Sequence, residues 1–171
     1  GSPKATAGLG VKRANGDSSA FTAADWPVWT MTSSLCDTRD TALASGGFKT
    51  SASDCSPIRG SATVTDPYDG KKYDDPNDLR VAHIIPLKYA NAHGGHSWSS
   101  GLKRQYANDQ SNLIVVGSGS NALTTNGPSS WMPVTGSCSY ARSWVDIAGK
   151  YGISVTQSDA DKLSSVLSSC G

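Results

Sequence analysis

The apolar positions of the chain fall into short blocks with two different periods. Asn112-Leu-Ile-Val-Val116 is the most apolar run and predicts a strand. Leu79 to Leu87 predicts a second short buried strand that runs out at Pro86. Residues 61–65 alternate into the turn Asp66-Pro67-Tyr68-Asp69-Gly70, with Lys71-Lys72-Tyr73 as a return strand. Helical spacing takes over elsewhere. Leu102 and Tyr106 stand four apart in a predicted helix from Ser99 to Ala107. Tyr140, Trp144, Ile147 and Tyr151 share one face of a predicted helix from Cys138 to Tyr151, which Gly152 stops. Thr156 to Ser169 repeats the pattern with Ala160, Leu163, Val166 and Leu167. Asp37 to Ala44 predicts a short helix ended by Gly46-Gly47. Upstream, Thr22-Ala-Ala-Asp25 is spaced as a capping box, with Trp26, Pro27 and Trp29 as expected core anchors. The fold class is α+β.

Residues 1–20 lack this periodicity. They read as a flexible N-terminal arm rich in Gly, Ala and Ser, beginning with a cloning-type Gly1-Ser2, before a single domain over 21–171. Within the arm, Lys12-Arg13 is a dibasic pair of the kind that secretory processing proteases cut, so a pro-segment would end at Arg13.

Composition narrows the chemistry. Of 171 residues 17% are charged, with a formal net charge of +1, which fits neither a disordered acidic tail nor a histone-like chain. No apolar run approaches the ~18 residues of a membrane span. The sequence contains no glutamate, so all 14 acidic side chains are aspartates. Glutamate-dependent sites, such as the His-Glu-x-x-His zinc helix, are excluded. The four cysteines at 36, 55, 138 and 170 lack metal-knuckle spacing. Even in number and widely spaced, they predict two disulfides in a secreted protein, against the alternative of four reduced thiols. Of three pairings, Cys36–Cys55 and Cys138–Cys170 are favoured because each closes a loop within one half of the chain.

Charge is uneven along the chain. Asn15 to Asp78 carries five basic and ten acidic residues. Leu79 to Val145 sets Arg80, Lys88, Lys103, Arg104 and Arg142 against Asp109 alone. All three histidines, His83, His93 and His96, lie in this basic half, a pattern that suits a polyanion as well as an ordinary solvated surface. His83 ends a hydrophobic strand just before a proline, an unusual place for a solvent-facing imidazole. Asn112 and Asn121 follow in order, making a His–Asn–Asn series.

Taken together, these motifs resemble the secreted HNH, or ββα-metal, endonucleases, related to the C-terminal nuclease domain of GmrSD-type enzymes. The resemblance covers roughly residues 21–171. It rests on Cys36-Asp-Thr-Arg39, the 66–70 turn, His83-Ile-Ile-Pro-Leu87, Trp98, Lys103-Arg104, Asn108-Asp109 and Asn112-Leu113. It continues through Asn121, Trp131-Met-Pro133, Cys138-Ser-Tyr-Ala-Arg-Ser-Trp144, Lys150-Tyr-Gly152 and the final Cys170. The resemblance implies a ββα-metal core of short strands with surrounding helices and a C-terminal helical pair. It implies His83 as general base on a second-strand Asn112 that orients its ring, and one magnesium ion held by an aspartate before the histidine and by Asn121 on the next helix. Arg80, Lys88, Lys103 and Arg104 would bind nucleic acid.

The chain departs from that pattern where the metal should bind. Arg80-Val81-Ala82-His83 has neither of the family's aspartates, and Thr124-Thr125-Asn126 replaces its usual Lys-Gly-Asp. Hard divalent cations need oxygen ligands, and Ala82 offers none. Three readings follow. The first is a secreted pseudo-nuclease with no cofactor, binding nucleic acid or a host or target protein in an effector-like or toxin-like role. The second is an active nuclease with a rearranged site, in which His93, His96 or Asp109 supplies a ligand, or in which His83 with Arg80 cleaves RNA without metal. The third is a structural interaction module. A monomer without a membrane partner is expected in each.

Overall fold

The computed structural model describes residues 10–123 and 127–170. Among these residues, two small antiparallel sheets and five α-helices make a mixed α+β domain with two disulfides. The first helix, α1 (Thr38–Ser45), starts where the chain can satisfy its free N–H groups. Asp37 accepts from the Asp40 N–H at 2.8 Å and Asp40 accepts from the Asp37 N–H at 3.1 Å. This is a capping box in which aspartate does glutamate's work. The box expected at Thr22–Asp25 does not form. Those residues make only a 3₁₀ turn, Ala23–Asp25, and the Thr22 side chain makes no cap bond.

Strands β1 (Val64–Thr65) and β2 (Lys72–Tyr73) flank the expected turn. Its Asp66 carboxylate is fully buried and accepts from Tyr68 N–H at 2.8 Å and from Gly117 N–H at 2.9 Å. The turn is thereby tied to the end of the second sheet. That sheet pairs β3 (Leu79–His83) with β4 (Leu113–Gly117), register Leu79↔Gly117 to His83↔Leu113. The chain between them forms α2 (Leu87–Ala92) and α3 (Ser100–Ala107), with 3₁₀ turns at Gly95–Ser97 and Gln110–Asn112. Strand β3 therefore stops at His83, and Leu87, expected on the strand, begins a helix. Pro86 at its N-cap has no N–H to donate, a position where that loss costs little.

The C-terminal pair is α4 (Ser137–Tyr151) and α5 (Gln157–Ser168). Gly152 ends α4 at φ 68°, a left-handed conformation natural to glycine. Thr156 caps α5 by accepting from Asp159 N–H at 3.0 Å. Cys138–Cys170 joins the start of α4 to the end of α5, and Cys36–Cys55 closes the loop around α1. Loops of these lengths contribute about 3 and about 4 kcal/mol through the entropy of the unfolded chain. The pairing is the one favoured from sequence.

The main core is aromatic. Trp26 lies edge-on to Tyr106 at 5.7 Å, and Tyr89 edge-on to Trp144 at 5.1 Å, beneath the C-terminal helices. Trp26 is buried as expected, whereas Pro27 is exposed and Trp29 is half-buried. The N-terminal segment also differs from expectation. Val11 is buried in the core, Ala14 N–H donates to Val155 O and Val155 N–H to Lys12 O, both at 2.9 Å, and Asp17 N–H donates to Ala92 O. From Val11 onward the arm is docked backbone-to-backbone, a pairing that side-chain periodicity does not reveal.

Candidate functional site: the His83 cleft

Strand β3 carries His83 to its last position, and Asn112 O closes the ladder just beyond by accepting from Ile84 N–H at 2.8 Å. His83 Nε2 lies 2.8 Å from the carbonyl oxygen of Ala107, the last residue of α3. A carbonyl only accepts, so Nε2 carries the proton and the lone pair is left on Nδ1. Burial pushes the His83 pKa below its ordinary value, partly opposed by the Ala107 carbonyl. The imidazole is therefore neutral at pH 7. Trp29 stacks on it with ring centroids 5.6 Å apart and planes 14° from parallel.

His83 opens on a cleft of about 350 Å³. Phe21, Pro86, Leu87 and Leu123 make its walls largely apolar, and Lys88 is the charged residue lining it. No carboxylate contributes to the described lining. The buried Ala82 methyl replaces the ligand that the resemblance calls for. Asn121 opens a 3₁₀ turn, Asn121–Leu123, where a helix was expected, and its side chain lies outside the described residues. Among the described residues no group of three His, Cys or Asp could hold a metal ion. The donor set does not fit magnesium, which wants several oxygen ligands.

The three candidate replacement ligands are engaged elsewhere. His93, expected in an exposed loop, is buried against Tyr89, rings 4.0 Å apart and nearly parallel, with Nδ1 3.3 Å from Ser154 Oγ. Its pKa is lowered by burial, against the pull of Asp159 and Asp17. His96 is exposed and sits 2.8 Å from an Asp17 carboxylate oxygen. Asp109 accepts from Lys150 Nζ at 2.7 Å, Tyr151 hydroxyl at 2.6 Å and Ser111 hydroxyl at 2.7 Å. Burial alone would raise its pKa, but these donors hold it down to about 2.

Asn112 does not orient His83. It is fully buried, accepts from Ile85 N–H at 2.9 Å and donates to Ile85 O at 3.2 Å, where the Tyr106 hydroxyl also donates at 2.7 Å. The asparagine fixes the backbone that follows the histidine. It also closes the 3₁₀ turn before β4 and does not lie on the strand itself. The four cations separate similarly. Arg80 Nη1 folds back onto the carbonyls of Asn77 and Leu79, at 3.1 and 2.8 Å, away from the cleft, so it is not paired with His83. Lys103 and Arg104 line a second cleft of about 480 Å³ across the 3₁₀ turn Ala23–Asp25, with Lys103 Nζ 5.6 Å above the Trp26 ring.

Sequence reasoning missed Trp29 and Asn108 as site residues. Trp29 has φ 53°, in the left-handed region that a bulky side chain avoids. Asn108 braces that loop. Its Oδ1 accepts from Thr30 N–H at 3.0 Å and Thr38 hydroxyl at 2.8 Å, and its Nδ2 donates to Pro27 O and Arg104 O at 2.8 Å. Asn108 sat within a quoted motif, yet nothing in one sequence shows it reaching back some 78 positions to Thr30.

A protein of Arthroderma benhamiae, described as an uncharacterized secreted protein, is 34% identical over 163 residues, covering 92% of this chain and 79% of that one. The chain belongs to that protein's family, and with its two disulfides it is extracellular. No family model matches the chain, and no solved structure does.

Proposed function

We propose that the protein is a secreted pseudo-nuclease, a ββα-metal-type scaffold that binds nucleic acid at the His83 cleft without metal-dependent cleavage. The observation that carries this reading is a neutral, carbonyl-anchored histidine ending the first strand of an antiparallel pair, in a cleft with Lys88 and no described carboxylate. The order of parts, strand with histidine, strand, then helical turn, supports the nuclease-like core. The missing anionic ligands support the loss of metal chemistry. Lys88, with Lys103 and Arg104 across the intervening turn, supplies charge for a phosphate backbone.

The test incubates plasmid DNA, single-stranded DNA and RNA with the protein in magnesium, manganese or EDTA, with binding followed by fluorescence anisotropy. Salt-sensitive binding that needs no metal, without metal-stimulated cleavage, is expected. Magnesium-dependent nicking abolished by His83→Ala would refute the reading. A second reading, metal-free RNA cleavage, draws on the Nδ1 lone pair, which is free of the Ala107 bond and shares a cleft with Lys88. Its signature is RNA cleavage that survives EDTA and disappears with His83→Ala.

A further inference from the structure

We infer that Trp29 is a base-stacking residue, so that the His83 site selects single-stranded over duplex nucleic acid. The inference rests on the phosphodiester-binding reading and deepens it.

Three observations converge on this ring. Trp29 holds a left-handed backbone conformation, φ 53°, that indole side chains rarely occupy. The conformation is enforced, because the Asn108 amide grips the carbonyl of Pro27 and the N–H of Thr30 on either side of it. The position also leaves Trp29 in partial contact with solvent, in an offset stack against the imidazole, when the same loop buries Trp26 completely in the core. A ring needed only for packing would follow Trp26 inward. A strained backbone at a candidate site is what a preorganised contact requires.

The surroundings define the ligand. Trp29 stacks on His83, which lines the apolar-walled cleft with Lys88, and its loop is tied through Asn108 to the carbonyl of Arg104, which lines the second cleft with Lys103 and Asp25. A half-exposed aromatic ring beside a cleft with Lys88, on a loop tied to the segment that carries Lys103 and Arg104, is an arrangement that can take a single strand, with a base on the ring and phosphates on the cations. Duplex bases are already stacked and paired, so they have no free face to offer Trp29 and would meet only the cations.

The experiment measures anisotropy of short fluorescein-labelled single-stranded RNA, single-stranded DNA and the matching duplex, in EDTA, with the disulfide-intact protein. Trp29→Gly removes the ring and relieves the backbone, since glycine accepts positive φ, and its folding is checked by thermal melting. Trp29→Leu replaces it should the glycine variant not fold. The expected result is tighter binding of both single strands than of duplex. Trp29→Gly should weaken single strands by about tenfold, towards the duplex level, while Trp29→Phe keeps most of the affinity. Lys88→Ala should weaken all three ligands alike. Equal affinity for single strand and duplex, or a folded Trp29 variant that loses neither or both equally, would overturn the inference and leave the binding reading standing. Wild-type protein that binds none of the ligands would overturn the binding reading itself.

Discussion

Replacing Asn112 by leucine separates two roles for this asparagine, holding the chain after His83 or orienting the imidazole. Leucine has the same number of side-chain heavy atoms and the same branching, so no cavity is left. Ile85 N–H, which donates to Asn112 Oδ1 at 2.9 Å in a fully buried setting, would lose its partner. An orphaned buried donor costs about 1–3 kcal/mol. Ile85 O would keep the Tyr106 hydroxyl at 2.7 Å, so little is lost on that side. The expected destabilisation is about 2–3 kcal/mol, a fall in melting temperature of about 4–12 °C for a chain of this size. The assay pairs thermal melting at neutral pH with an NMR titration of His83, whose pKa should not move because the ring bonds to Ala107 O while the Asn112 amide bonds to Ile85. A second variant sharpens the test. In Asn112→Asp one carboxylate oxygen would still accept from Ile85 N–H, but the other would face the Ile85 carbonyl. Its folded-state pKa would be raised above the unfolded value, so the deficit against wild type should shrink as pH falls through that raised pKa. An unchanged melting temperature in Asn112→Leu together with a shifted His83 titration would refute the reasoning and restore the orienting role.

The acid limb of stability should depend on Asp109. Its carboxyl is held down to about 2, so its contribution of about 2 kcal/mol is complete above the unfolded value near 3.9 and is lost as pH falls towards 2; melting curves of wild type and Asp109→Asn should differ at pH 6 and converge in that window, and parallel curves would rule this out. The dibasic pair Lys12-Arg13 should resist cleavage in the folded protein, because Lys12 O and Ala14 N–H, on either side of the Arg13 bond, are both bonded to Val155. Timed digestion with a dibasic-specific protease, read by mass spectrometry with and without urea, checks this, and rapid cutting of the native chain would contradict it.

Periodicity made most of the helices and strands legible. The C-terminal pair was readable because Tyr140, Trp144 and Ile147 repeat at helical spacing and Gly152 interrupts them. The strand ending at His83 was readable for its length but not for its end, because Pro86 permits both a strand exit and a helix N-cap. The docked arm was illegible. It is held by Val11 and by main-chain bonds to Val155 and Ala92, and backbone groups are the same in every sequence. His83 and Lys88 were singled out by position and charge, and the fold brings them to one cleft. The partners of Asn112, Arg80 and Asp109 were not legible, since each side chain could reach several groups and only the fold selects among them.

On the proposed reading, the loss of a metal ligand at position 82 is not an isolated gap. Ala82 is 4% exposed and packs into the main core, opposite Ile114 on β4. A carboxylate there would be desolvated, and stable only with a cation or strong donors to meet it. The cleft beside it is walled by Phe21, Leu87 and Leu123, with Lys88 as its charged lining, and Arg80 is spent on its own backbone carbonyls. An apolar wall excludes the water that a hydrated magnesium ion keeps around itself. It favours the flat face of a base instead. The alanine, the apolar wall and the arginine turned onto its own backbone carbonyls are consistent with one another, as the proposed reading of a cleft for an organic ligand expects. The histidine keeps its carbonyl anchor because Ala107 O lies at the end of a helix whose position is set by Tyr106 and the aromatic core, independently of any metal. On the proposed reading, the imidazole geometry and the absence of metal donors have separate physical causes, and the first needs no metal to persist.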